Sequence, residues 1–199
     1  MSFFEEPKNA GLAIIIVGIL QIIGGIIAII LGAMQYELSE DQVYTIGAAV
    51  SGIGTVICGF LFFAFGKKVR SGAISAKIDI LAQFVRVVGV ITIIGGVFSA
   101  IGGIVDGVDL GSEIVSAIIS IILGLIILWI AGKINDGKQT TGDKIIWILL
   151  LVIFVIEIIL AILLIISIIG IIIGICNLII YVFMLMLLLS SDVKAEMGM

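Results

Sequence analysis

Histidine is absent from this chain of 199 residues, proline occurs once, cysteine occurs twice, and charged residues make up 12% of the sequence. These shortages exclude a disulfide scaffold, zinc clusters built from cysteine and histidine, and most acid–base catalysis. Soluble domains carry about 25% charged residues, so half of the charge that a hydrated surface needs is missing. Because 62% of the residues are apolar, the composition predicts an integral membrane protein.

The net charge is −4, which argues against nucleic acid as a partner, because nucleic acid requires a clustered basic face. The sequence contains no recognisable nucleophile–base pair and no cluster of metal-ligating residues. We therefore expect no enzymatic activity, no cofactor and no bound metal. The expected partners are the lipid bilayer and either other membrane protein subunits or further copies of the chain.

Long apolar runs dominate the sequence. A helix needs about 20 apolar residues to cross a hydrocarbon core of ~30 Å. Four runs are bounded by charged or turn residues, and a fifth stretch, 145–189, is too long for one crossing and must reverse near Ser167 to Gly174, where Gly170 and Gly174 tolerate turn dihedrals. The predicted fold is all-α, a polytopic bundle of six transmembrane helices at 10–34, 43–65, about 83–105, 114–131, 145–166 and 171–189.

Lysine and arginine lie in both tails and in the second and fourth connections between spans, whereas the first, third and fifth connections carry none. The positive-inside rule then predicts a multi-pass protein of the cell membrane with both termini in the cytoplasm. The second connection contains Lys67, Lys68 and Arg70, which we expect to meet anionic lipid at the cytoplasmic face.

A polar stripe follows this connection, because Ser75, Asp79, Gln83 and Arg86 are spaced at helical intervals. One interpretation is a short separate helix that lies at the cytoplasmic interface. The alternative is that the stripe forms the solvated first turns of the third span, with the long side chain of Arg86 reaching the interface.

An internal repeat relates the first four spans. A shift of 71 residues superimposes glycines and aliphatic residues of the first span on the third, and a shift of 65 does the same for the second and fourth. This pattern indicates that a helical hairpin was duplicated. The predicted organisation is a cytoplasmic tail at 1–9, hairpin one at 10–72, hairpin two at 73–138, hairpin three at 139–190 and a cytoplasmic tail at 191–199.

Small residues recur every seven positions in each of these four spans. Seven residues return to nearly the same helix face, so each span has a seam along which another helix can approach closely. The third hairpin departs from the pattern, with Phe154 and Ile168 at the glycine positions, and we expect it to face lipid or a partner. The predicted packing glycines are Gly11, Gly18, Gly25, Gly32, Gly52, Gly59, Gly89, Gly96, Gly103 and Gly124.

Glu157 is an acidic residue deep inside a predicted span, where a charge costs at least roughly 2.5 kcal/mol. In the repeat register it aligns with Gln21 and Thr92, so we expect a polar cluster of these three side chains at one depth. One interpretation is a proton or cation site with Glu157 as the titrating group. The other, which we favour, is a protonated Glu157 that hydrogen-bonds between helices and holds them together.

Three tandem hairpins with the motifs Gly-Ile-Leu-x-Ile-Ile-Gly-Gly at 18–25 and Gly-Val-Ile-x-Ile-Ile-Gly-Gly at 89–96 resemble the HdeD-type small membrane proteins associated with acid resistance. The resemblance implies a membrane protein without known catalytic residues, and it assigns no site residue in this chain.

Two classes of function agree with these features. The first is a structural or accessory subunit, or an interaction partner, in the membrane, which the short connections and the apolar third hairpin favour. The alternative is a small proton- or ion-coupled transporter or channel that uses Glu157, which the intramembrane carboxyl and the repeat favour.

Overall fold

A computed structural model describes residues 6–35, 37–39, 42–43, 45–136, 141–166 and 171–199. The predicted all-α class is confirmed, and six helices are long and apolar enough to cross a membrane. The described elements are α1 (Pro7–Ala33), β1 (Glu37–Ser39), β2 (Gln42–Val43), α2 (Ile46–Ser71), α3 (Lys77–Val105), α4 (Leu110–Ile134), α5 (Thr141–Ile166), α6 (Ile171–Leu189) and α7 (Ser191–Glu196). The strands form a short antiparallel ladder that the sequence analysis did not predict.

The helix ends decide two of the open interpretations. Helix α3 runs without a break from Lys77, so the polar stripe from Asp79 to Arg86 belongs to the first turns of the third span, and the separate interfacial helix is wrong. Helix α5 ends at Ile166 and helix α6 begins at Ile171, as predicted. Residues 167–170 lie outside the described part of the chain, but Gly174 lies inside α6 and not in the turn.

The chain divides into two compact units. The first unit comprises Met1–Val17, Phe62–Arg86 and Trp129–Met199, and the second comprises Gly18–Leu61 and Val87–Leu128. Helices α1 to α4 each contribute a segment to both units, whereas α5, α6 and α7 belong to the first.

In the first unit, α6 has many buried residues. Seven of its nineteen residues are buried, among them Gly174, Phe183 and Leu188. A methyl group at Gly174 would lie 3.0 Å from the carbonyl oxygen of Ala161, so α5 and α6 approach each other closely at this point. This contact lies inside the third hairpin, so the expectation that the hairpin faces lipid or a partner stays a prediction.

The C-terminal residues also form structure where a tail was predicted. In α7, Val193 is fully buried, and Met197 just after it is 1% exposed. The Lys77 ammonium pairs with the Asp192 carboxylate at 3.1 Å, and this hydrogen bond and charge hold the pKa of Asp192 below its ordinary value. These contacts place α7 beside the start of α3.

Trp147 links α7 to the α5–α6 pair within the first unit. Its indole N–H donates a hydrogen bond of 3.0 Å to the carbonyl of Leu188, and the Lys194 ammonium lies 5.8 Å from the centre of its ring. Tryptophan suits this position because its ring is apolar and its N–H is polar.

In the second unit, glycines bring the backbones of α1 and α2 into contact. A methyl group at Gly52 would lie 2.7 Å from the Gly25 carbonyl oxygen, and one at Gly59 would lie 2.7 Å from that of Gly18. The step from Gly25 to Gly18 along α1 therefore corresponds to the step from Gly52 to Gly59 along α2, seven residues in each helix. In the first unit the same series continues, since a methyl group at Gly66 would lie 2.9 Å from the Gly11 carbonyl oxygen.

The beginning of α2 is tied to the connection between α3 and α4, also within the second unit. The Asp106 carboxylate accepts hydrogen bonds from the Gly47 N–H at 2.8 Å and from the Thr45 hydroxyl at 2.5 Å. The Thr45 hydroxyl oxygen accepts a bond from the Ala48 N–H at 3.2 Å. A carboxylate at a helix N-terminus satisfies free backbone N–H groups and complements the helix dipole.

The neighbouring glycines Gly24 and Gly25 allow a direct test of the seam. We expect Gly25→Leu to destabilise the protein by about 1–3 kcal/mol or more, because its side chain would collide with the Gly52 backbone. Gly24→Leu should fold normally, since no described atom lies within 4 Å of a methyl group built there. The measurement is thermal unfolding of each purified variant in the same detergent; equal melting temperatures for the two variants would contradict the packing of α1 on α2.

Candidate intramembrane site

Glu157 lies on α5 within the first unit. Its carboxyl group is near enough to the hydroxyl of Tyr181 on α6 to interact with it electrostatically. Helical spacing places Glu157, Ala161 and Leu164 on one face of α5. On α6, Gly174 and Asn177 are three residues apart and therefore also share one face. The close contact of Gly174 with Ala161 brings the polar residues of the two helices near each other.

An open crevice lies beside this contact. It has a volume of 420 Å³, and the described residues that line it are two polar ones, Glu157 and Asn177, and four apolar ones. The apolar lining consists of Leu160, Ala161, Leu163 and Leu164. Leu160 and Leu163 are 51% and 56% exposed, so the crevice opens on the outer surface of these helices.

An aromatic cluster in the same unit supports Tyr181. Its ring packs edge-on against Phe84 at 6.1 Å between centroids and lies 6.4 Å from Phe154. Phe65 extends the cluster at 6.2 Å from Phe84. Aromatic pairs at these separations attract each other beyond simple burial. The cluster therefore fixes the ring of Tyr181 and with it the direction of the hydroxyl that lies near Glu157.

The other two members of the predicted polar cluster lie in the second unit. The Thr92 hydroxyl donates to the Val88 carbonyl of its own helix at 2.9 Å. The side-chain oxygen of Gln21 is buried and accepts no hydrogen bond from the described residues. Because Glu157 belongs to the first unit, its grouping with Gln21 and Thr92 stays a prediction.

The remaining predicted residues occupy varied surroundings. Gly89 and Gly124 of the second unit face each other, with the Gly124 carbonyl oxygen 3.1 Å from a methyl group built on Gly89. Gly96 is covered by the side chain of Ser120, and Gly103 by that of Glu113, so these two meet side chains where a backbone contact was expected. Gly32 faces Thr45 and Ala49 at the start of α2. Lys67, Lys68 and Arg70 are all exposed at the end of α2.

Sequence reasoning missed Asn177 and Tyr181 as neighbours of Glu157. A signal was nevertheless present, because Gly174, Asn177 and Tyr181 stand at intervals of three and four and therefore share one helix face.

Across the described residues, no group of three histidine, cysteine, aspartate or glutamate side chains is arranged to hold a metal ion. Both cysteines are buried and unbridged. Comparison of the chain with protein-family models, with curated proteins and with solved structures finds no match. The resemblance to HdeD-type proteins therefore remains a prediction from sequence motifs.

The interaction between the Tyr181 hydroxyl and the Glu157 carboxyl can be tested by a double-mutant cycle. We expect Tyr181→Phe to lower the free energy of unfolding by about 0.6–2 kcal/mol, because it removes the donor and keeps the packed ring. In a Glu157→Met background the same substitution should cost nothing further. Unfolding by denaturing detergent measures both; an equal cost of Tyr181→Phe in the two backgrounds would mean that the interaction contributes no stability.

Proposed function

We propose that this protein is a small integral membrane protein without catalytic machinery, which acts as a structural or accessory subunit by packing on another membrane-embedded chain or on a second copy of itself. The observation that carries the proposal is an open space beside two helical glycines, Gly24 and Gly95 of the second unit. No described atom lies within 4 Å of a methyl group built on either one.

The physical argument rests on what glycine does in a membrane helix. A glycine inside a helix costs up to about 1 kcal/mol compared with alanine, and Gly25 offsets that cost by admitting the backbone of α2. Gly24 and Gly95 admit no described neighbour, so each leaves a notch on an apolar surface. In lipid, helices associate through close van der Waals contact at small residues, and the two notches are suited to such contact with a partner helix.

The positions of these glycines also support the proposed duplication. Gly24 and Gly95 are separated by the repeat shift of 71 residues, and both are open. The contacts of Gly18 with Gly59 and of Gly89 with Gly124 are likewise related by the shifts of 71 and 65. A duplicated hairpin would keep both its internal contact and its outward notch.

For the orientation we propose that both termini lie in the cytoplasm and that the protein resides in the cell membrane. The ion pair between Lys77 and Asp192 supports this, since it places the C-terminal helix at the same end as the connection after α2. Lys67, Lys68 and Arg70 lie at the end of α2, just before that connection, and the positive-inside rule assigns such a basic end to the cytoplasm.

Assembly is tested by extraction of the native protein in mild detergent, followed by native electrophoresis and identification of co-migrating chains. We expect a complex, and we expect the double variant Gly24→Leu, Gly95→Leu to migrate as the free chain, because two leucines fill the notches. The matched control is Gly132→Leu, which also has open space around it but does not belong to the pair. A wild-type protein that migrates alone, or a double variant that keeps its partner, would overturn the proposal.

A second candidate function is a small proton- or ion-coupled transporter, and the specific observation in its favour is that Glu157 and Asn177 line an open crevice between apolar helices. An ionisable residue inside a span commonly marks a transport pathway. The wild-type protein in liposomes would then carry a proton or cation flux, and Glu157→Gln would abolish it. Equal flux through wild type and variant would exclude this function.

A further inference from the structure

The crevice beside Glu157 has the features of a ligand site that is entered from the lipid. Its volume of 420 Å³ falls within the range of about 300–1,000 Å³ that small-molecule sites occupy. Among the described residues, its walls are leucine and alanine, and its polar groups belong to Glu157 and Asn177. A mainly apolar lining with a few convergent polar groups is typical of sites that bind an apolar body and orient a polar end.

The polar end of the site has unused capacity to accept hydrogen bonds. A carboxylate can accept about four hydrogen bonds, and the nearby Tyr181 hydroxyl can supply at most one of them. Asn177 adds an amide oxygen as a further acceptor at the same crevice. The ion pairs formed among described residues join Lys77 to Asp192 and Lys133 to Asp136, so neither involves Glu157. A positively charged donor group is complementary to this end of the crevice.

The depth of the site limits the shape of the ligand. Glu157 lies nine residues before the end of α5 and Asn177 six residues after the start of α6, which corresponds to about 14 Å and 9 Å along the helices. The ammonium of a phospholipid lies at the membrane surface, where its two chains hold it. An ammonium on a single alkyl chain can move to this depth and place its chain along Leu160 and Leu163.

We propose that the crevice formed by α5 and α6 binds a single-chain hydrophobic amine, whose ammonium group donates hydrogen bonds to the Glu157 carboxylate and the Asn177 amide oxygen, and whose alkyl chain lies against Leu160, Leu163 and Leu164. This role is independent of the proposed assembly, because the notches at Gly24 and Gly95 belong to the second unit and the crevice belongs to the first.

The test uses the full chain in phosphatidylcholine nanodiscs and a decylamine that carries a photoreactive diazirine in its chain. After irradiation, mass spectrometry locates the adducts. We expect saturable labelling of the segment 157–164, competed by unlabelled decylamine but not by decanol or decanoate. Decanol keeps the chain without the charge, and decanoate reverses the charge, so the two together separate recognition of the ammonium from simple partitioning.

Three variants make the result specific. Glu157→Gln removes the charge while keeping an acceptor for Tyr181, and it should reduce labelling at least tenfold. Asn177→Leu should reduce labelling several-fold, and Leu160→Trp should block it by filling the crevice. The matched control is Gln21→Leu, which changes a buried polar residue of the second unit and should leave labelling unchanged. Each variant is first checked for a monodisperse elution profile.

The possible outcomes are distinguishable. Equal labelling of wild type and Glu157→Gln would overturn the proposal. So would competition by decanol that is as strong as competition by decylamine, and so would labelling that does not saturate. Nanodiscs that also contain phosphatidylethanolamine identify the source of the amine. Labelling that persists there supports a free single-chain amine, and labelling that the lipid suppresses contradicts the single-chain requirement.

Discussion

The close approach of helix backbones in lipid is the constraint on which the rest of this structure depends. Lipid tails are as apolar as leucine, so burial of apolar side chains gives no net attraction between helices, and contact between backbones must supply it. The chain meets this requirement with glycines that face carbonyl oxygens, such as Gly25 opposite Gly52 and Gly59 opposite Gly18. Almost all other features of the sequence, including its shortage of charge, follow from the same solvent.

The third hairpin satisfies the same constraint by different means. Among the described residues, α5 and α6 share the glycine contact of Gly174 with Ala161 and Ile165, and the Tyr181 hydroxyl lies near the Glu157 carboxyl. The rings of Phe84 and Phe154 then support Tyr181 from the side. The Glu157 carboxyl thus lies both near the Tyr181 hydroxyl of the neighbouring helix and at the wall of the crevice.

The fold class and the number of spans were predictable because each depends on local composition. A run of about 20 apolar residues is a helix across the bilayer in nearly any context, and the ends of α5 and α6 agreed with prediction even without a charged turn to mark them. The contacts of Glu157 were not predictable in the same way. The repeat register pointed to Gln21 and Thr92, whereas the pairing with Tyr181 depends on the rotation of α6 about its axis. That rotation is set by the contact of Gly174, which the sequence alone does not separate from the other glycines. Likewise α7 was taken for a tail, because six residues are too few for a helix to be stable without the tertiary contacts of Val193 and Lys194.

The carboxylate of Asp106 has a consequence for how the chain is made. A ribosome delivers the first two spans to the membrane long before it reaches the connection after α3, yet the N–H of Gly47 and the hydroxyl of Thr45 receive their acceptor from that connection. Until then the Gly47 N–H and the Thr45 hydroxyl lack the Asp106 acceptor and depend on water for these hydrogen bonds. The start of α2 becomes complete when the third span has crossed and delivered Asp106, so the maturation of the earliest segment is timed by a later one.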